Sequence, residues 1–358
     1  MRIILWRKWA MIINEVTFVA DKAQAGMPIT WNVANGRNVT REEVCEALAS
    51  KRAEIDAILY KHGGLLVRGC DQLITAEDFE HAVLQVTPIL RDYVGGTSPR
   101  MAVHGKIMTA TYVPPNWSIP LHQEMAYTRT PPDRITFFCE RPATSGGYSM
   151  IGDMRIALNK INPVIRRKFD RFGLQLRRTL PSRQTLHLKP GVQKAWPEVF
   201  DSDDPTIVEG IVAANGWRAE WLNGDALQLW QDILPAIKYH PVTGEALWCN
   251  QAHFFSPACM MRWAQEDDRI SDYDAIAKAR AVNPEMLDEI LFGNGEPVPD
   301  DDALHVYQVL RALERPIQLK RGDILMLDNL ILAHGRTAFF GERNILVALA
   351  DNNGGKTA

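Results

Sequence analysis

Leu121-His122-Gln123-Glu124-Met125-Ala126-Tyr127 places a histidine and a carboxylate one residue apart. In an extended strand alternate side chains point to the same face, so His122 and Glu124 are expected to project into one space. An imidazole and a carboxylate supply two of the three ligands of a facial Fe(II) site, whose other positions stay open. With 9 His and 43 acidic residues, however, roughly one H-x-(D/E) is expected by chance, so the pair needs a third ligand downstream.

Length and composition are those of a globular protein with a sizeable core. The chain has 358 residues, 46% hydrophobic and 23% charged, which allows one large domain or two ordinary ones. The net charge of −3 gives no reason to expect nucleic acid or an anionic membrane as a partner. Scattered cysteines without a CxxC pair favour a reducing compartment, so we expect a cytoplasmic location. These cysteines are Cys45, Cys70, Cys139, Cys249 and Cys259.

The N-terminal stretch MRIILWRKWAMIINEVTF (1–18) is apolar but interrupted by charge. Arg7, Lys8 and Glu15 break the apolar region that a signal peptide needs, and no small-residue cleavage site follows. No apolar run is long enough to span a bilayer. We therefore expect neither a signal peptide nor a membrane span, and both Met1 and Met11 stay open as the first residue.

Hydrophobic patterning predicts strands near both ends of the chain with helices between them. Thr40-Arg41-Glu42-Glu43 is a capping box that opens a helix, Gly63-Gly64 ends it, and another helix begins near Thr75. A helix from about Arg155 is expected to break at Pro163. Residues 180–200 are predicted to form a loop that could cover a site, and 267–313 to be helical. Strands are predicted at 65–67, 135–138, 246–248, 317–319, 323–327 and 344–350.

This order of elements predicts the fold class. The β-α-β-α alternation of a doubly wound sheet is absent, and no repeat or clean linker divides the chain. We predict a single, mainly β domain with flanking helices and a double-stranded β-helix (jelly-roll) core, which pairs early strands with late ones. The core is expected at about 60–150 and 240–351, with a large, partly helical insertion at about 155–240 and a helical segment at about 267–314.

A second segment with chemical potential lies near the C-terminus. It has the sequence RGDILMLDNLILAHGR (321–336), followed by GER (341–343). A predicted strand runs to His334, a short turn follows, and the next strand opens near Arg343. His334 lies 212 positions after His122 (334 − 122), so only a fold that places chain-distant strands side by side could make it the third ligand.

With these segments the sequence resembles the TauD/TfdA (taurine dioxygenase-like) family of Fe(II)/2-oxoglutarate-dependent oxygenases. Its SyrP-like branch, which works on amino-acid building blocks in specialised metabolism, is the most similar. The resemblance covers roughly residues 60–351, and five motifs in the expected order make it specific. The matching stretches are GGTSPR (95–100), IPLHQEMAY (119–127), FFCERPATSGGYSMIGDMR (137–155), HPVTGEALWCNQ (240–251) and GDILMLDNLILAHGRTAFFGERNILVALAD (322–351).

The resemblance implies a role for each of the main site residues. It makes His122, Glu124 and His334 the iron ligands, and it makes Arg343 the group that binds the distal carboxylate of 2-oxoglutarate. A planar guanidinium can donate two hydrogen bonds to a carboxylate in a fork, which Lys cannot. Ser149 stands where the family usually has a Thr that also contacts the cosubstrate. Asn344 stands where a second basic residue is common, which is a departure from the pattern.

Residues around the substrate are less determined. Arg336 lies either near the cosubstrate or in an ion pair with Asp328 or Glu342. Three further residues are placed near the substrate by the resemblance alone, with ordinary core packing as the alternative: Trp248, Asn250 and Gln251. Three histidines have no ligand spacing and are expected to be structural: His104, His240 and His253.

The implied reaction is hydroxylation of an unactivated C–H bond with Fe(II), 2-oxoglutarate and O2, releasing succinate and CO2. The implied substrate is an amino acid, free or held as an aminoacyl group by a carrier protein, in specialised metabolism. Halogenases of this superfamily replace the carboxylate by a small residue, so Glu124 favours hydroxylation. Desaturation and cyclisation begin with the same hydrogen abstraction and stay open. A non-catalytic jelly-roll binding protein is a further alternative, and a zinc hydrolase lacks an evident base and oxyanion donors.

The basic loop offers one clue to partners. Arg177, Arg178, Arg183 and Lys189 lie in or beside residues 180–200 and could meet an acidic substrate group or the phosphate arm of a carrier protein. A solvated basic surface is the preferred alternative. We expect a small-molecule substrate, no nucleic acid and no membrane, and we leave a homo-oligomer open.

Overall fold

The computed structural model describes residues 16–22, 24, 26–34, 39–87, 89–93, 100–191, 194–222 and 225–352. Most of the N-terminal stretch and most of the GGTSPR motif lie outside these ranges, so the expectations about them are not addressed by the structure. Within the ranges, the helices all fall short of the length and apolar character that a membrane crossing requires.

Strands outnumber helices in the described chain. The strands are β1 (Phe18–Ala20), β2 (Ile29–Val33), β3 (Gly64–Arg68), β4 (Ile89–Leu90), β5 (Ala102–His104), β6 (Ile107–Thr109), β7 (Ile119–His122), β8 (Arg134–Arg141), β9 (Ser145–Gly146), β10 (Ser149–Asp153), β11 (Leu174–Leu180), β12 (Arg218–Leu222), β13 (Ala226–Leu234), β14 (Ile237–Tyr239), β15 (Ala246–Trp248), β16 (Glu289–Phe292), β17 (Arg315–Ile317), β18 (Ile324–Asp328), β19 (Leu332–Arg336), β20 (Phe339–Phe340) and β21 (Asn344–Asp351). The helices are α1 (Arg41–Ser50), α2 (Arg52–His62), α3 (Ala76–Val86), α4 (Met154–Lys160), α5 (Pro163–Phe172), α6 (Trp196–Phe200), α7 (Pro205–Ala214), α8 (Ala252–Phe255), α9 (Pro257–Glu266), α10 (Ile270–Val282) and α11 (Asp300–Leu313).

Two sheets share the central core. The larger has the strand order β1-β2-β3-β18-β8-β21-β6-β5, with β4 also paired to β21, and the smaller has the order β17-β10-β19-β7. Both sheets place late strands beside early ones, as a jelly roll requires. The two sheets exchange no strand pairs in the described part of the chain, so the core is a double sheet rather than a closed barrel.

Burial on both faces explains the continuous apolar runs of the central strands. On β18, Ile324 and Met326 belong to the core shared with α1–α3, whereas Leu325 and Leu327 belong to the core shared with the smaller sheet. Neighbouring residues of β21 divide between the same two cores. Because successive side chains of a strand point to opposite faces, a strand between two cores needs an apolar residue at nearly every position.

Helix boundaries follow the local signals. Thr40 and Thr75 each form a reciprocal capping box, in which the Thr hydroxyl accepts an N3 backbone N–H and the N3 carboxylate accepts from the cap. Gly63 ends α2 with a φ of 77°, a left-handed conformation that glycine adopts without strain. Pro163 begins α5, as expected. The single helix expected before Gly63 is two helices, which meet at Lys51.

The insertion contains a third sheet that the patterning did not reveal. Its order is β12-β13-β11-β16, and β16 comes from the segment expected to be helical throughout. That expectation is wrong at Glu289–Phe292, because this short run pairs with Leu174–Arg177 of β11. Residues 180–200 are also more than a loop, since they include a 3-10 turn at Leu186–Leu188 and the helix α6.

Leu346→Ala should lower the free energy of unfolding by about 2–5 kcal/mol, because it removes buried methyl groups and leaves a cavity. Leu346 is fully buried on β21, in the core shared with α1–α3. Leu84, on α3, is 40% exposed and provides the matched control; Leu84→Ala should cost less than about 1 kcal/mol. Urea unfolding followed by circular dichroism measures both variants. Equal losses would contradict this assignment of the core.

Candidate metal centre

Adjacent strands bring the two histidines together. In the antiparallel pair β7–β19, His334 lies opposite His122, and the centroids of the two rings are 4.4 Å apart. Glu124 follows two residues after His122. One ligand atom from each of His122, Glu124 and His334 lies within 4.8 Å of the other two, so the cluster could hold a metal ion. The predicted trio is therefore assembled across 212 positions of sequence (334 − 122).

The way in which Glu124 reaches this cluster differs from the expectation. β7 ends at His122, so the two side chains do not share one extended strand. Glu124 instead lies in a turn, and Met125 after it has a φ of 54°, in the left-handed region that few side chains adopt. The alternation of side chains along a strand is thus not what places the carboxylate beside the imidazoles.

Asn329 holds the backbone of Glu124 in this turn. Asn329 is fully buried, and its Oδ1 accepts the backbone N–H of Glu124 at 2.8 Å. Its Nδ2 donates to the carbonyl oxygens of Glu124 at 3.0 Å and Pro132 at 2.9 Å. The sequence analysis did not single out Asn329. It lies in the LDN run just after β18, but nothing local shows that its amide bonds to a residue 205 positions away.

The surroundings of His122 favour its neutral, metal-binding form. Its Nδ1 lies 3.0 Å from the carbonyl oxygen of Pro120, which assigns the proton to Nδ1 and leaves the Nε2 lone pair available. Burial, reinforced by the nearby His334, lowers the pKa of His122 to about 3. Phe254 packs against the His122 ring and Phe137 against the His334 ring, at centroid distances of 5.3 and 5.1 Å. The His122 imidazole is therefore neutral at physiological pH, and both rings lie in an apolar setting.

Arg100 is a site residue that the sequence analysis did not assign. Its Nη2 donates to Oε2 of Glu124 at 2.6 Å, and both side chains are almost completely buried. Burial opposes ionisation of Glu124, but the Arg100 charge and the contacts with His334 and His122 together outweigh it and lower the pKa of the carboxyl to about 2. Arg100 is the last residue of the GGTSPR motif, so a charged residue ending a family motif was the available signal.

A pocket opens beside the cluster. His122 and His334 line it together with Ser149, Arg336 and Arg343. Ser149 lies opposite Arg336 in the β10–β19 pair. The close approach of β19 to β7 requires a glycine between His334 and Arg336, because a Cβ at Gly335 would lie 2.4 Å from the backbone oxygen of Ile119.

The pocket suits an anion. Burial lowers the pKa of Arg336 and of Arg343 to about 10, and the charge of Arg343 adds to the shift of Arg336. In the part of the chain that the structure describes, no carboxylate pairs with either guanidinium, and Arg336 donates to the backbone carbonyls of Pro114 and Trp117. A buried Arg336 and a partly buried Arg343, neither paired with a carboxylate among the described residues, lie next to a Ser hydroxyl and fit a dianionic cosubstrate such as 2-oxoglutarate.

The ion pairs considered for Arg336 are wrong, because both carboxylates have other partners. Asp328 bonds to Nε2 of His240 at 2.9 Å, and Glu342 pairs with Arg141. Arg336 faces the pocket instead, where it lies beside Arg343. This position agrees with the other alternative, a location near the cosubstrate.

The three residues expected near the substrate are buried and have partners within the protein. Trp248 is fully buried and packs on Phe169, with ring centroids 5.2 Å apart. Asn250 and Gln251 are buried, and their side-chain amides donate to backbone carbonyls. None of these three lines the pocket, so the structure favours the packing alternative. His253, one of the histidines expected to be structural, bonds to the backbone oxygen of Leu121 at 2.7 Å.

The basic loop is not a lid on this pocket, and only part of it is a solvated surface, where the Arg183 side chain is 56% exposed. The Lys189 ammonium is buried and lies 2.6 Å from Asp288, and Arg178 is also buried. Arg177 pairs with Glu289, and Arg183 pairs with Asp203. The loop's described residues are absent from the pocket lining. Lys189 and Arg177 thereby link the insertion to the segment of Asp288 and Glu289, whose strand β16 pairs with β11.

Comparisons with known proteins agree with this geometry. A sequence profile described as "Taurine catabolism dioxygenase TauD, TfdA family" matches residues 28–349. The chain is 27% identical over 310 residues to a clavaminate synthase-like protein of Arabidopsis thaliana, covering 85% of this chain and 86% of that protein. It is 27% identical over 298 residues to the dapdiamide synthesis protein DdaC of Enterobacter agglomerans, covering 83% and 84%.

One solved structure shows how far the fold is shared. AAD-2, in complex with Mn(II) and N-oxalylglycine, aligns with a TM-score of 0.53 at 13% identity and covers 94% of this chain and 98% of its own. Together with the family profile, this likeness confirms the predicted fold class: mainly β, with a jelly-roll core and flanking helices.

Asn329→Ala should weaken binding of a divalent metal by about 10- to 100-fold, because groups that orient a ligand typically contribute this much to metal affinity. Titration of the variant with Mn(II), followed by electron paramagnetic resonance, measures the effect. Asn159→Ala is the matched control, since Asn159 is exposed and donates only to its own helix. Equal affinity for the metal in the two variants would show that the hydrogen bonds of Asn329 do not position Glu124.

Proposed function

This chain belongs to the TauD/TfdA family of Fe(II)/2-oxoglutarate-dependent dioxygenases, and we propose that it hydroxylates an unactivated C–H bond of an amino-acid-type small molecule. One observation carries the proposal. The His122, Glu124 and His334 cluster lies beside a buried Arg336 and a partly buried Arg343, neither of which pairs with a carboxylate among the described residues. A metal site next to an anion site is what a reaction of iron with 2-oxoglutarate needs.

In this proposal His122, Glu124 and His334 hold Fe(II). Two neutral imidazoles and one ionised carboxylate make up the facial triad, which leaves other coordination positions open. Glu124 also bears on the outcome, because a carboxylate ligand occupies the place that a halide would need. Hydroxylation is therefore favoured over halogenation. Desaturation and cyclisation remain alternatives within the same chemistry.

Arg343 and Ser149 would hold 2-oxoglutarate. Arg343, which directly precedes β21, lines the pocket without a paired carboxylate among the described residues, and its fork of N–H donors matches a carboxylate. The Ser149 hydroxyl can donate a further hydrogen bond to the same group. Arg336, at the opposite position of the strand pair, adds positive charge to this end of the pocket.

The chain's own residues orient these groups and keep water out. Fe(II) with bound 2-oxoglutarate and O2 supplies the power to oxidise the C–H bond, while 2-oxoglutarate becomes succinate and CO2 and the substrate gains one oxygen atom. Asn329 and Arg100 hold Glu124 from its backbone and its side chain. Phe137 and Phe254 cover the imidazoles with apolar surface, which limits the access of water to the site.

The biological setting is inferred from a relative and from the thiols. The relative from Enterobacter agglomerans is named for dapdiamide synthesis, which supports a role in the biosynthesis of a specialised metabolite. All five cysteines are free and buried, which supports a reducing, cytoplasmic compartment. We propose that the chain works as a single domain on a small molecule. Presentation by a carrier protein and assembly into a homo-oligomer are alternatives to be tested.

Anaerobic protein with Fe(II) and 2-oxoglutarate should show a weak visible charge-transfer band. Glu124→Ala and His334→Ala should abolish both the band and the formation of succinate in air, because each removes one metal ligand. His104→Ala is the control, since His104 lies outside the cluster with a side chain 46% exposed, and it should keep both signals. If the two ligand variants retain the band and still make succinate, the assignment of the site is wrong.

Arg343→Lys should raise the KM for 2-oxoglutarate by about 10- to 100-fold, because Lys keeps the charge but loses the two-pronged hydrogen bond. Succinate release at varied 2-oxoglutarate concentrations gives this number. Arg141→Lys changes an exposed arginine of β8 in the same way and should leave the KM unchanged. Equal KM values for the two variants would show that Arg343 does not bind 2-oxoglutarate.

A screen of candidate compounds can identify the substrate. Free amino acids and carrier-bound aminoacyl groups should be incubated with the complete enzyme and examined by mass spectrometry. Gain of one oxygen atom in a member of the panel supports hydroxylation, and loss of two hydrogens supports desaturation or cyclisation. Absence of any 2-oxoglutarate turnover across the panel would favour a non-catalytic binding protein.

A further inference from the structure

We propose that Arg100 binds a free carboxylate of the substrate, so that the enzyme acts on a free acid rather than on an aminoacyl thioester. The inference rests on the proposed function and narrows its substrate class. It is based on the Arg100 guanidinium, whose N–H donors are only partly occupied by contacts within the proposed iron and 2-oxoglutarate sites.

Arg100 is buried with donors to spare. Its side chain is 4% exposed, and its guanidinium lies over the Tyr93 ring at 4.7 Å from the centroid. Nη2 donates to Glu124, but Nε and Nη1 are buried and have no hydrogen-bond partner in the described structure. A buried charged group with unpaired N–H donors is costly, because water no longer solvates it. A ligand that brings an anionic oxygen to this guanidinium removes the cost.

The balance of charge in the pocket also requires another anion. One pocket is lined by Arg100, Arg336 and Arg343. Among the described residues, Glu124 forms an ion pair with Arg100, and neither of the other two arginines pairs with a carboxylate. When Glu124 also binds a divalent metal, its charge is shared and its pairing with Arg100 weakens. Dianionic 2-oxoglutarate does not balance three guanidinium groups and the metal together. One substrate carboxylate reduces the remaining excess.

The position of Arg100 suits the reacting end of a small acid. Oε2 of Glu124, which accepts from Arg100, lies 3.7 Å from Nε2 of His334. A carboxylate held by Arg100 therefore lies beside the ligand cluster, with the rest of a small substrate in the same pocket. An aminoacyl thioester has no charge at that carbon and would leave the donors of Arg100 unpaired. The site thus favours a free α-amino acid or a similar carboxylate.

A matched set of ligands tests the inference. L-amino acids are compared with their primary amides and their N-acetylcysteamine thioesters, by the shift each causes in the thermal unfolding midpoint. The comparison uses the metal-free protein and, separately, the anaerobic complex with Fe(II) and 2-oxoglutarate. The variants are Arg100→Gln, Arg100→Lys and the control Arg141→Gln, which changes an exposed arginine outside the pocket.

In the wild type at least one free acid should bind about 10- to 100-fold more tightly than its amide and thioester, the range expected for a charge-assisted hydrogen bond. Arg100→Gln should remove this preference by weakening the acid alone, and Arg100→Lys should restore part of it. Arg141→Gln should bind as the wild type does.

The inference fails if the thioester or the amide binds more tightly than the acid, or if no free acid stabilises the protein. It fails too if Arg100→Gln weakens the binding of acid and amide equally. If Arg100→Gln loses the charge-transfer band but keeps the acid preference, Arg100 only positions Glu124, and the inference also fails. A wild type without the band contradicts the proposed function instead. In that case the acid and amide comparison on metal-free protein still decides the role of Arg100.

Discussion

The pairing of β7 with β19 sets His334 opposite His122, and the remainder of the site depends on that register. A strand slip of one residue would turn one imidazole to the other face of the sheet and separate the two rings. Gly335 permits the close contact, since any side chain there would collide with the backbone of β7. The pairing is held in turn by β10, whose Ile151 lies opposite His334 on the other side of β19.

Around this pair, the Glu124 carboxylate is positioned by polar contacts between distant parts of the chain. Asn329 bonds to the backbone of Glu124, and the turn that carries Asn329 is itself held by Asp328. Asp328 accepts from His240, whose Nδ1 accepts backbone N–H groups two and three residues further on. Buried groups of this kind must all find partners, so the network admits few other arrangements. This hydrogen-bond network therefore holds Glu124 in one position.

The pocket is organised by charge as well as by shape. Arg336 is buried and Arg343 partly buried, and among the described residues neither forms an ion pair with a carboxylate, an arrangement that costs free energy in the isolated chain. Arg100 pairs with Glu124 on another side. Lys189 and Arg177 of the insertion, by contrast, pair with Asp288 and Glu289 of a neighbouring segment. Uncompensated positive charge is therefore concentrated at the pocket, where anions are expected to bind.

The sequence by itself determined the family, the jelly-roll core and the three residues that form the candidate metal site, because ordered motifs and apolar runs such as 324–327 are local signals. The capping boxes at Thr40 and Thr75 were also local and could be predicted. Only the tertiary structure decided that Glu124 lies in a turn held by Asn329, that Arg100 reaches it, and that Arg336 faces the pocket. Only the tertiary structure placed Trp248 in the core and β16 in a third sheet. The physical reason is that these outcomes depend on hydrogen bonds, ion pairs and packing between residues far apart in the chain, which leave no periodic trace in the sequence around either partner.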